Sequence, residues 1–177
     1  VAVSDSKGWI YDSDGLDYKE LLRVKTETGT VRNYKKGKSF SAEENYKLFE
    51  IDADIVVPGA RPHVITEKNA NNIKAKIIAE AANVPATEGA EKILSQRGVV
   101  AIPDIVANAG GVISSFYELR GYIEIIEVFK GIESKIAGAV RTVLSRSKNK
   151  EITPREAAME IAREKVKNAM CYRKLGK

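Results

Sequence analysis

The stretch that decides the fold is KIIAEAANVPATEGAEKILSQRGVVAIPD, residues 76–104. It begins and ends with short apolar runs, Lys76–Ala79 and Val99–Ile102, which do not alternate with polar residues. Such runs are typical of strands covered on both faces, as in parallel sheets flanked by helices. Between them, Thr87 predicts the start of a helix and Gly98 fits the left-handed position that ends one. The stretch therefore predicts a strand, a helix and a second parallel strand.

The remaining sequence first continues this alternation and then becomes helical. Strands are also predicted at Val1–Val3 and Ile55–Val57, with a fifth short one at Lys38–Phe40. Helices are predicted at about Asp17–Thr28, 41–49, 66–73, Ile105–Leu119, Glu124–Ser145 and from Thr153–Pro154 onward. We therefore expect one α/β domain, residues 1–177, with its sheet portion over about 1–104 and C-terminal helices over about 105–177.

The composition is that of a globular protein. With 177 residues, 44% of them hydrophobic, the chain can bury a core without disulfides or a structural metal. The single Cys171 cannot form an intrachain bridge, and no apolar run approaches the roughly 18–20 residues of a membrane span. Because the first residues also lack the pattern of a signal peptide, we expect a cytoplasmic location and no membrane partner.

The net charge of +5 lies in the C-terminal part of the chain. Residues 141–177 contain 11 Lys and Arg but only 4 Asp and Glu. The positive residues are interleaved with Glu156, Glu160 and Glu164, and a single aromatic residue, Tyr172, accompanies them. This pattern favours a solvated helix face, and we expect no nucleic-acid partner.

Candidate binding residues follow the predicted strands, because open parallel sheets bind ligands beyond the carboxyl ends of their strands. Ser4 and Asp5 follow the first run, and Asp5 could accept turn hydrogen bonds or the hydroxyls of an adenosine ribose. Gly59 and Ala60 could form a simple turn or let the backbone approach a flat nucleotide. Asn83 could cap a helix or hold a ribose hydroxyl.

Asn108 is the strongest candidate. Its side-chain amide offers two donors and an acceptor, which match the carboxamide of nicotinamide. The following Gly110 and Gly111 would let a planar ring lie against the helix, although close helix packing would also explain them. Each glycine costs a helix roughly 0.8–1 kcal/mol relative to alanine, so packing or a ligand must offset that cost.

The sequence contains no self-contained catalytic apparatus. It shows no metal-ligand spacing, no Ser-His-Asp set and no complete phosphate-loop motif: Gly37-Lys38-Ser39 is present, but Arg32 stands where that motif needs its first glycine. The only histidine, His63, is expected in solvent, and nothing activates Ser114 or Ser115 as a nucleophile. We therefore predict no catalytic residue and no metal site within this chain.

Three segments resemble the cofactor-binding domain of glutamate dehydrogenases, within the wider glutamate, leucine, phenylalanine and valine dehydrogenase family. They are VAVSDSKGWIYDSDGLD, IVVPGARPHVITEKNANNIKAKIIAEAANVPATEGA and GVVAIPDIVANAGGVISSFYE. The resemblance implies a Rossmann-like, doubly wound and mostly parallel sheet. It also implies a cytoplasmic, usually homohexameric enzyme that converts L-glutamate to 2-oxoglutarate and ammonia by passing hydride to NAD or NADP.

The resemblance assigns a role to each candidate. Asn108 matches the contact to the nicotinamide amide and Asn83 the residue near the nicotinamide ribose. Asp5 falls where the family reads the adenosine ribose, and Ser4 beside it is a further cofactor-binding candidate. Gly59 with Ala60 lies in the loop that covers the cofactor. Ser115 matches a serine that helps glutamate-specific members to bind the substrate carboxylate.

The chain also departs from the family pattern. It has Glu80-Ala81-Ala82-Asn83-Val84-Pro85 where the family usually has Glu-Gly-Ala-Asn-Gly-Pro. The family's glycine-rich turn and first strand, and the domain with its catalytic lysine and aspartate, are not in these residues. We therefore expect a piece of a larger polypeptide that is inactive alone.

Three questions stay open at this stage. A leucine or phenylalanine dehydrogenase and a catalytically dead regulatory relative are alternatives to a glutamate dehydrogenase. The choice between NAD and NADP is also open, because Asp5 would repel a 2′-phosphate but Lys7 could compensate.

Overall fold

The computed structural model describes residues 1–121 and 124–173, which form two compact units. The first unit comprises Val1–Val56 with Asn71–Lys76, and the second comprises Val57–Ala70 with the chain from Ile77 onward. Part of the basic tail that we interpreted as a solvated face, residues 174–177, lies outside the described residues.

The first unit contains a three-stranded antiparallel sheet, formed by β1 (Ala2–Asp5), β2 (Gly8–Tyr11) and β3 (Lys38–Ser41) in that order. Helix α1 (Tyr18–Thr28) begins at Asp17, whose side chain accepts a hydrogen bond from the Glu20 N–H. Two 3-10 helices, Val31–Asn33 and Ala42–Glu50, and the short β4 (Ile55–Val56) follow. The core of this unit consists of Ile10, Val24 and Tyr34, with Val3, Leu16 and Leu21 packed against them.

The first strand has an antiparallel neighbour that the sequence did not predict. The strand pairs with β2 in an antiparallel hairpin, in which Val3 lies opposite Ile10 and Asp5 opposite Gly8. Gly8 has a φ of 146°, and a Cβ there would collide with the Phe40 carbonyl oxygen, so the position requires glycine. Trp9 then stacks on Phe40 with ring centroids 4.0 Å apart, which holds β2 against β3.

The second unit contains the predicted strand, helix and strand. Strand β5 (Ile77–Ala79) pairs in parallel with β6 (Val100–Ile102), and α2 (Glu88–Gln96) connects them. The Thr87 side chain accepts a hydrogen bond from the Ala90 N–H, and Gly98 has the predicted left-handed backbone, φ 76°. The α/β prediction for residues 76–104 is therefore confirmed. The helix expected over 66–73 is only a 3-10 turn, Ala70–Asn72.

Among the described residues four helices follow β6, and the first two correct the single helix predicted for Ile105–Leu119. Helix α3 (Asp104–Ala107) ends at Asn108, and α4 (Gly110–Leu119) begins after Ala109. The helix is broken because the Asn108 N–H bonds to the Asp104 carbonyl and closes the last turn of α3. A new series of helical hydrogen bonds then begins with the Ala109 carbonyl, which accepts from the Ile113 N–H. Long α5 (Ile125–Lys150) and α6 (Pro154–Arg173) complete the unit.

The helices share a small core made of Val106, Val143, Ala157 and Ala158. The predicted capping box of α6 is present, because the Glu156 carboxylate accepts from both the N–H and the hydroxyl of Thr153. The predicted apolar face of α6 is only partly correct. Ile161 packs on this core, but Val166 and Met170 are 59% and 60% exposed. None of the helices in the described part of the chain combines the length and apolarity that a bilayer span requires.

Candidate functional site

Asn83 and Asn108 lie side by side. The Asn108 Nδ2 donates a hydrogen bond of 2.7 Å to the Asn83 Oδ1. Asn83 follows β5 and Asn108 follows β6, so the parallel pairing of the two strands brings their exit segments to one edge of the sheet. Asn83 is exposed and Asn108 half-buried, which leaves this amide pair (Asn83 and Asn108) open to a ligand. The structure therefore brings together two residues that the sequence singled out separately.

The turn that presents Asn83 has an unusual backbone. Val84 has a φ of 47°, in the left-handed region that a β-branched residue rarely adopts. Two hydrogen bonds hold it there: the Val84 N–H donates to the Asp104 Oδ2 at 2.8 Å, and the His63 N–H donates to the Val84 carbonyl at 2.9 Å. Valine thus takes a conformation suited to the glycine that the resembling family has at this position.

Asp104 connects both members of the amide pair. Its carboxylate binds the Val84 N–H, which belongs to the peptide that follows Asn83, and its carbonyl accepts from the Asn108 N–H at 3.0 Å. Its side chain is almost fully buried. Burial alone would raise the pKa of Asp104, but hydrogen bonds from the Val84 N–H and the Arg155 guanidinium hold it below its ordinary value.

Arg155, in the first turn of α6, gathers three acidic side chains. Its guanidinium bonds to Glu80 Oε2 at 2.7 Å, to Asp104 Oδ1 at 2.8 Å and to the Glu91 carboxylate. We call Glu80, Glu91, Asp104 and Arg155 the acidic clamp. Glu80 also accepts from the Asp104 N–H at 3.0 Å. Among the described residues, its Oε1 is buried without a hydrogen-bond partner.

One guanidinium cannot neutralise three carboxylates, and the pKa values of Glu80 and Glu91 are both raised. Burial, and then the charge of Glu91, raise the pKa of Glu80 to about 7. Burial also raises the pKa of Glu91, although its hydrogen bond to Arg155 opposes that change. The clamp therefore holds a proton at mildly acidic pH.

The predicted glycine loop lies beside the Asn83 turn. The Ala82 N–H donates to the Pro58 carbonyl at 2.9 Å, and a Cβ at Gly59 would lie 3.8 Å from the Ala81 side chain. Gly59 and Ala60 are both exposed. The loop thus borders the Asn83 turn, with little side-chain bulk at its surface.

The two glycines of α4 have different surroundings. A Cβ at Gly110 would lie 3.6 Å from Ile132 of α5, in ordinary packing contact, whereas one at Gly111 would meet no described atom within 4 Å. Packing against α5 therefore explains a small residue at Gly110 but not at Gly111. We call the side of α4 that carries Gly111 the open face. Ser115 is exposed and one helical turn further along that face.

Asp5 and Ser4 lie in the first unit. The Asp5 carboxylate binds the Lys25 Nζ at 2.6 Å and the backbone N–H groups of Lys7 and Val31 at 2.8 Å, while Ser4 is exposed. Burial would raise the pKa of Asp5, but these hydrogen bonds lower it to about 2. The Asp5 carboxylate thus stabilises the turn after β1 by accepting backbone hydrogen bonds, and it stays a candidate for binding a ribose.

The arrangement can orient a ligand, and it contains features that the sequence did not reveal. Across residues 1–121 and 124–173, no three His, Cys, Asp or Glu side chains are grouped as they would be around a metal ion. The sequence predicted neither the role of Arg155 nor the left-handed backbone of Val84. A signal for the clamp existed in Glu80 and Asp104, since Glu80 directly follows one apolar strand and Asp104 follows another after Pro103.

One family of known proteins matches nearly the whole chain. The profile of the Glutamate/Leucine/Phenylalanine/Valine dehydrogenase family matches residues 1–174. A glutamate dehydrogenase of Aeropyrum pernix is 48% identical over 98% of this chain and 43% of its own length. An NAD-specific glutamate dehydrogenase of Staphylococcus aureus is 39% identical over 98% of the chain and 42% of its own length.

The fold agrees as well. The crystal structure of a hetero-hexameric glutamate dehydrogenase from Thermus thermophilus, in a leucine-bound form, superposes with a TM-score of 0.82 at 26% identity. The match covers 98% of this chain and 41% of that one. This chain thus spans about two fifths of the length of the proteins that it matches, and its α/β fold is Rossmann-like. On the family match over residues 1–174, the chain belongs to the Glutamate/Leucine/Phenylalanine/Valine dehydrogenase family.

Proposed function

We propose that this chain is the cofactor-binding portion of a glutamate dehydrogenase. The complete cytoplasmic enzyme would convert L-glutamate to 2-oxoglutarate and ammonia with NAD or NADP as hydride acceptor. The observation that carries the proposal is the 2.7 Å bond between the Asn83 and Asn108 side chains, at the carboxyl ends of two parallel strands. That edge of an α/β sheet is where dinucleotides bind.

The residues around the amide pair fit a nicotinamide. The bond to Asn83 uses one N–H of Asn108 and fixes the amide plane, so the other N–H and the carbonyl oxygen can pair with a carboxamide. The open face at Gly111 leaves room for a flat ring beside the helix. When bound, the nicotinamide accepts hydride from the substrate, and these residues hold the ring in position for it.

Ser115 supports glutamate as the substrate. Its hydroxyl is exposed on the same face of α4 as Gly111, where it can donate a hydrogen bond to a side-chain carboxylate. Against the aliphatic side chain of leucine the hydroxyl would be unpaired, at a cost of the order of 1–3 kcal/mol. The names of the Aeropyrum and Staphylococcus relatives support the same choice.

We further propose that the complete protein is a hexamer and that substrate proton transfer takes place outside this chain. The hexameric Thermus structure supports the assembly. The NAD-specific Staphylococcus relative supports NAD. The charge of Asp5 also disfavours a 2′-phosphate, although its partner Lys25 reduces that effect. Comparing turnover with NAD and with NADP decides between the two cofactors.

The test uses the full-length protein that contains this chain. We expect glutamate-dependent reduction of NAD or NADP, and much slower reduction with leucine. Asn108→Ala should lower kcat/KM by roughly 5- to 150-fold, which corresponds to the ~1–3 kcal/mol of a lost buried or ligand hydrogen bond. Asn149→Ala, at an exposed position near the end of α5, is the matched control and should leave the rate unchanged.

Two results would overturn the proposal. If the full-length protein binds NADH but reduces no cofactor with any amino acid, it is a dead relative. If Asn108→Ala has the same kinetics as Asn149→Ala, the amide pair does not serve the nicotinamide.

A further inference from the structure

Arg155 is far from the amide pair in sequence, yet a short chain of hydrogen bonds joins the two. Arg155 Nη1 donates to Asp104 Oδ1 at 2.8 Å, and Asp104 Oδ2 accepts from the Val84 N–H at 2.8 Å. That N–H belongs to the peptide that follows Asn83. One end of the amide pair is therefore two hydrogen bonds away from the guanidinium.

The other end is tied to the same clamp. Asn108 is held through its N–H to the Asp104 carbonyl, and the Asp104 N–H is in turn held by Glu80 Oε2. Glu80 Oε2 also accepts from Arg155 Nη2 at 2.7 Å. Arg155 thus fixes both the side chain and, through Glu80, the backbone of Asp104, which touches both asparagine segments.

The Asn83 turn needs such a restraint. Val84 has a left-handed φ of 47°, which is unfavourable for a β-branched residue and persists only where its surroundings enforce it. The Asp104 carboxylate supplies one of the two bonds that hold this residue. If that carboxylate moved, the turn could relax to an ordinary backbone and rotate the Asn83 side chain away from Asn108.

We propose that Arg155 is a positioning residue for the nicotinamide: through Asp104 and Glu80 it sets the geometry of the Asn83–Asn108 amide pair. This inference rests on the proposed function of that pair. The planar guanidinium, with donors in a fixed fork, can bind three carboxylates at once, which a lysine ammonium on a flexible stem cannot do with the same geometry. Helix α6, which a sequence reading assigns to packing, thereby contributes to cofactor binding.

The test compares two ligands on the full-length enzyme: NADH and ADP-ribose, which lacks the nicotinamide. We expect Arg155→Lys to weaken NADH binding about tenfold, which corresponds to the loss of about one hydrogen bond, and to leave ADP-ribose binding unchanged. A purely structural role would weaken both ligands or neither. Arg146→Lys, which alters the 2.7 Å pair between α5 and Glu164 of α6, is the matched control and should change neither affinity.

A double-mutant cycle makes the test specific. If Arg155 acts through the amide pair, Arg155→Lys has no further effect on NADH affinity once Asn108→Ala is present. Additive effects of the two changes would overturn the inference. If Arg155→Lys does not fold, Asp104→Asn replaces it, because one amide oxygen cannot serve both the Val84 and the Arg155 donors. Equal losses of NADH and ADP-ribose affinity in that variant would also overturn the inference.

The outcomes separate this inference from the proposed function. If Asn108→Ala selectively weakens NADH but Arg155→Lys and Asp104→Asn do not, the function stands and the role of Arg155 is refuted. If Asn108→Ala itself shows no selectivity for NADH over ADP-ribose, the function of the amide pair is refuted, and this inference with it.

Discussion

Replacing Glu80 by glutamine is expected to remove a pH dependence from the stability of the protein. Glu80 is fully buried, and burial together with the charge of Glu91 raises its pKa to about 7 from an ordinary value of 4.5. Between these pH values the folded protein holds a proton that the unfolded chain has lost. The contribution of Glu80 to the free energy of unfolding is therefore largest below pH 4.5 and falls as the pH rises to about 7.

The size of this fall follows from the two pKa values. Each pKa unit corresponds to about 1.4 kcal/mol, so the interval between them corresponds to about 3 kcal/mol. Glutamine has nearly the same shape and no charge at any pH. Its carbonyl oxygen can still accept from the Asp104 N–H and from Arg155, as Glu80 Oε2 does. Near pH 8 we therefore expect Glu80→Gln to be more stable than the wild type by up to ~3 kcal/mol, and near pH 4 about equally stable.

The assay is urea denaturation of the purified protein, followed by circular dichroism at a series of pH values from about 4 to about 8. Glu133→Gln, which changes an exposed carboxylate on α5, is the matched control and should follow the wild-type curve. The reasoning is refuted if the wild type and Glu80→Gln differ by a constant amount across this range, or if Glu80→Gln is the less stable protein near pH 8.

Three further variants test other parts of the structure. Asp5→Asn should lower the free energy of unfolding near neutral pH by about 2 kcal/mol, measured by Trp9 fluorescence in urea. The reason is that the ionised Asp5, with its pKa lowered to about 2, stabilises the fold above pH 3.8, and this stabilisation is lost as the pH falls toward 2. Val84→Gly should raise the free energy of unfolding by roughly 0.5–1 kcal/mol, since relief of left-handed strain exceeds the entropy cost of glycine; thermal unfolding measures it, and a loss of stability would contradict the strain. Gly111→Ala should stabilise α4 by about 1 kcal/mol but weaken NADH binding at least tenfold in calorimetry; unchanged NADH affinity would show that the open face is not used.

The parts of the fold that could be predicted are those set by neighbouring residues. Strands β5 and β6 follow from short apolar runs, and both ends of α2 follow from Thr87 and Gly98. Strand β2 could not be predicted in the same way, because it starts only three residues after β1 ends and depends on the unusual backbone of Gly8. The antiparallel hairpin of β1 and β2 is therefore absent from the prediction.

The candidate site divides along the same line. Asn83 and Asn108 could be predicted from their positions after apolar strands, and in the structure the Asn108 Nδ2 lies 2.7 Å from the Asn83 Oδ1. Arg155 could not, because it is 75 residues from Glu80 and 51 from Asp104, and no local pattern marks a long-range ion pair. The end of α3 at Asn108 escaped prediction for a related reason, since it reflects hydrogen bonding around Asp104 and no helix-breaking residue stands at that position.

The most direct test of the account is an experimental structure of the full-length protein with NADH bound. The measured quantity is the distance between the Asn108 side-chain amide and the carboxamide of the nicotinamide. The account predicts a hydrogen bond of about 3 Å, with the Asn83–Asn108 bond intact. A nicotinamide ring bound elsewhere, with water or another side chain on the Asn108 amide, would contradict it.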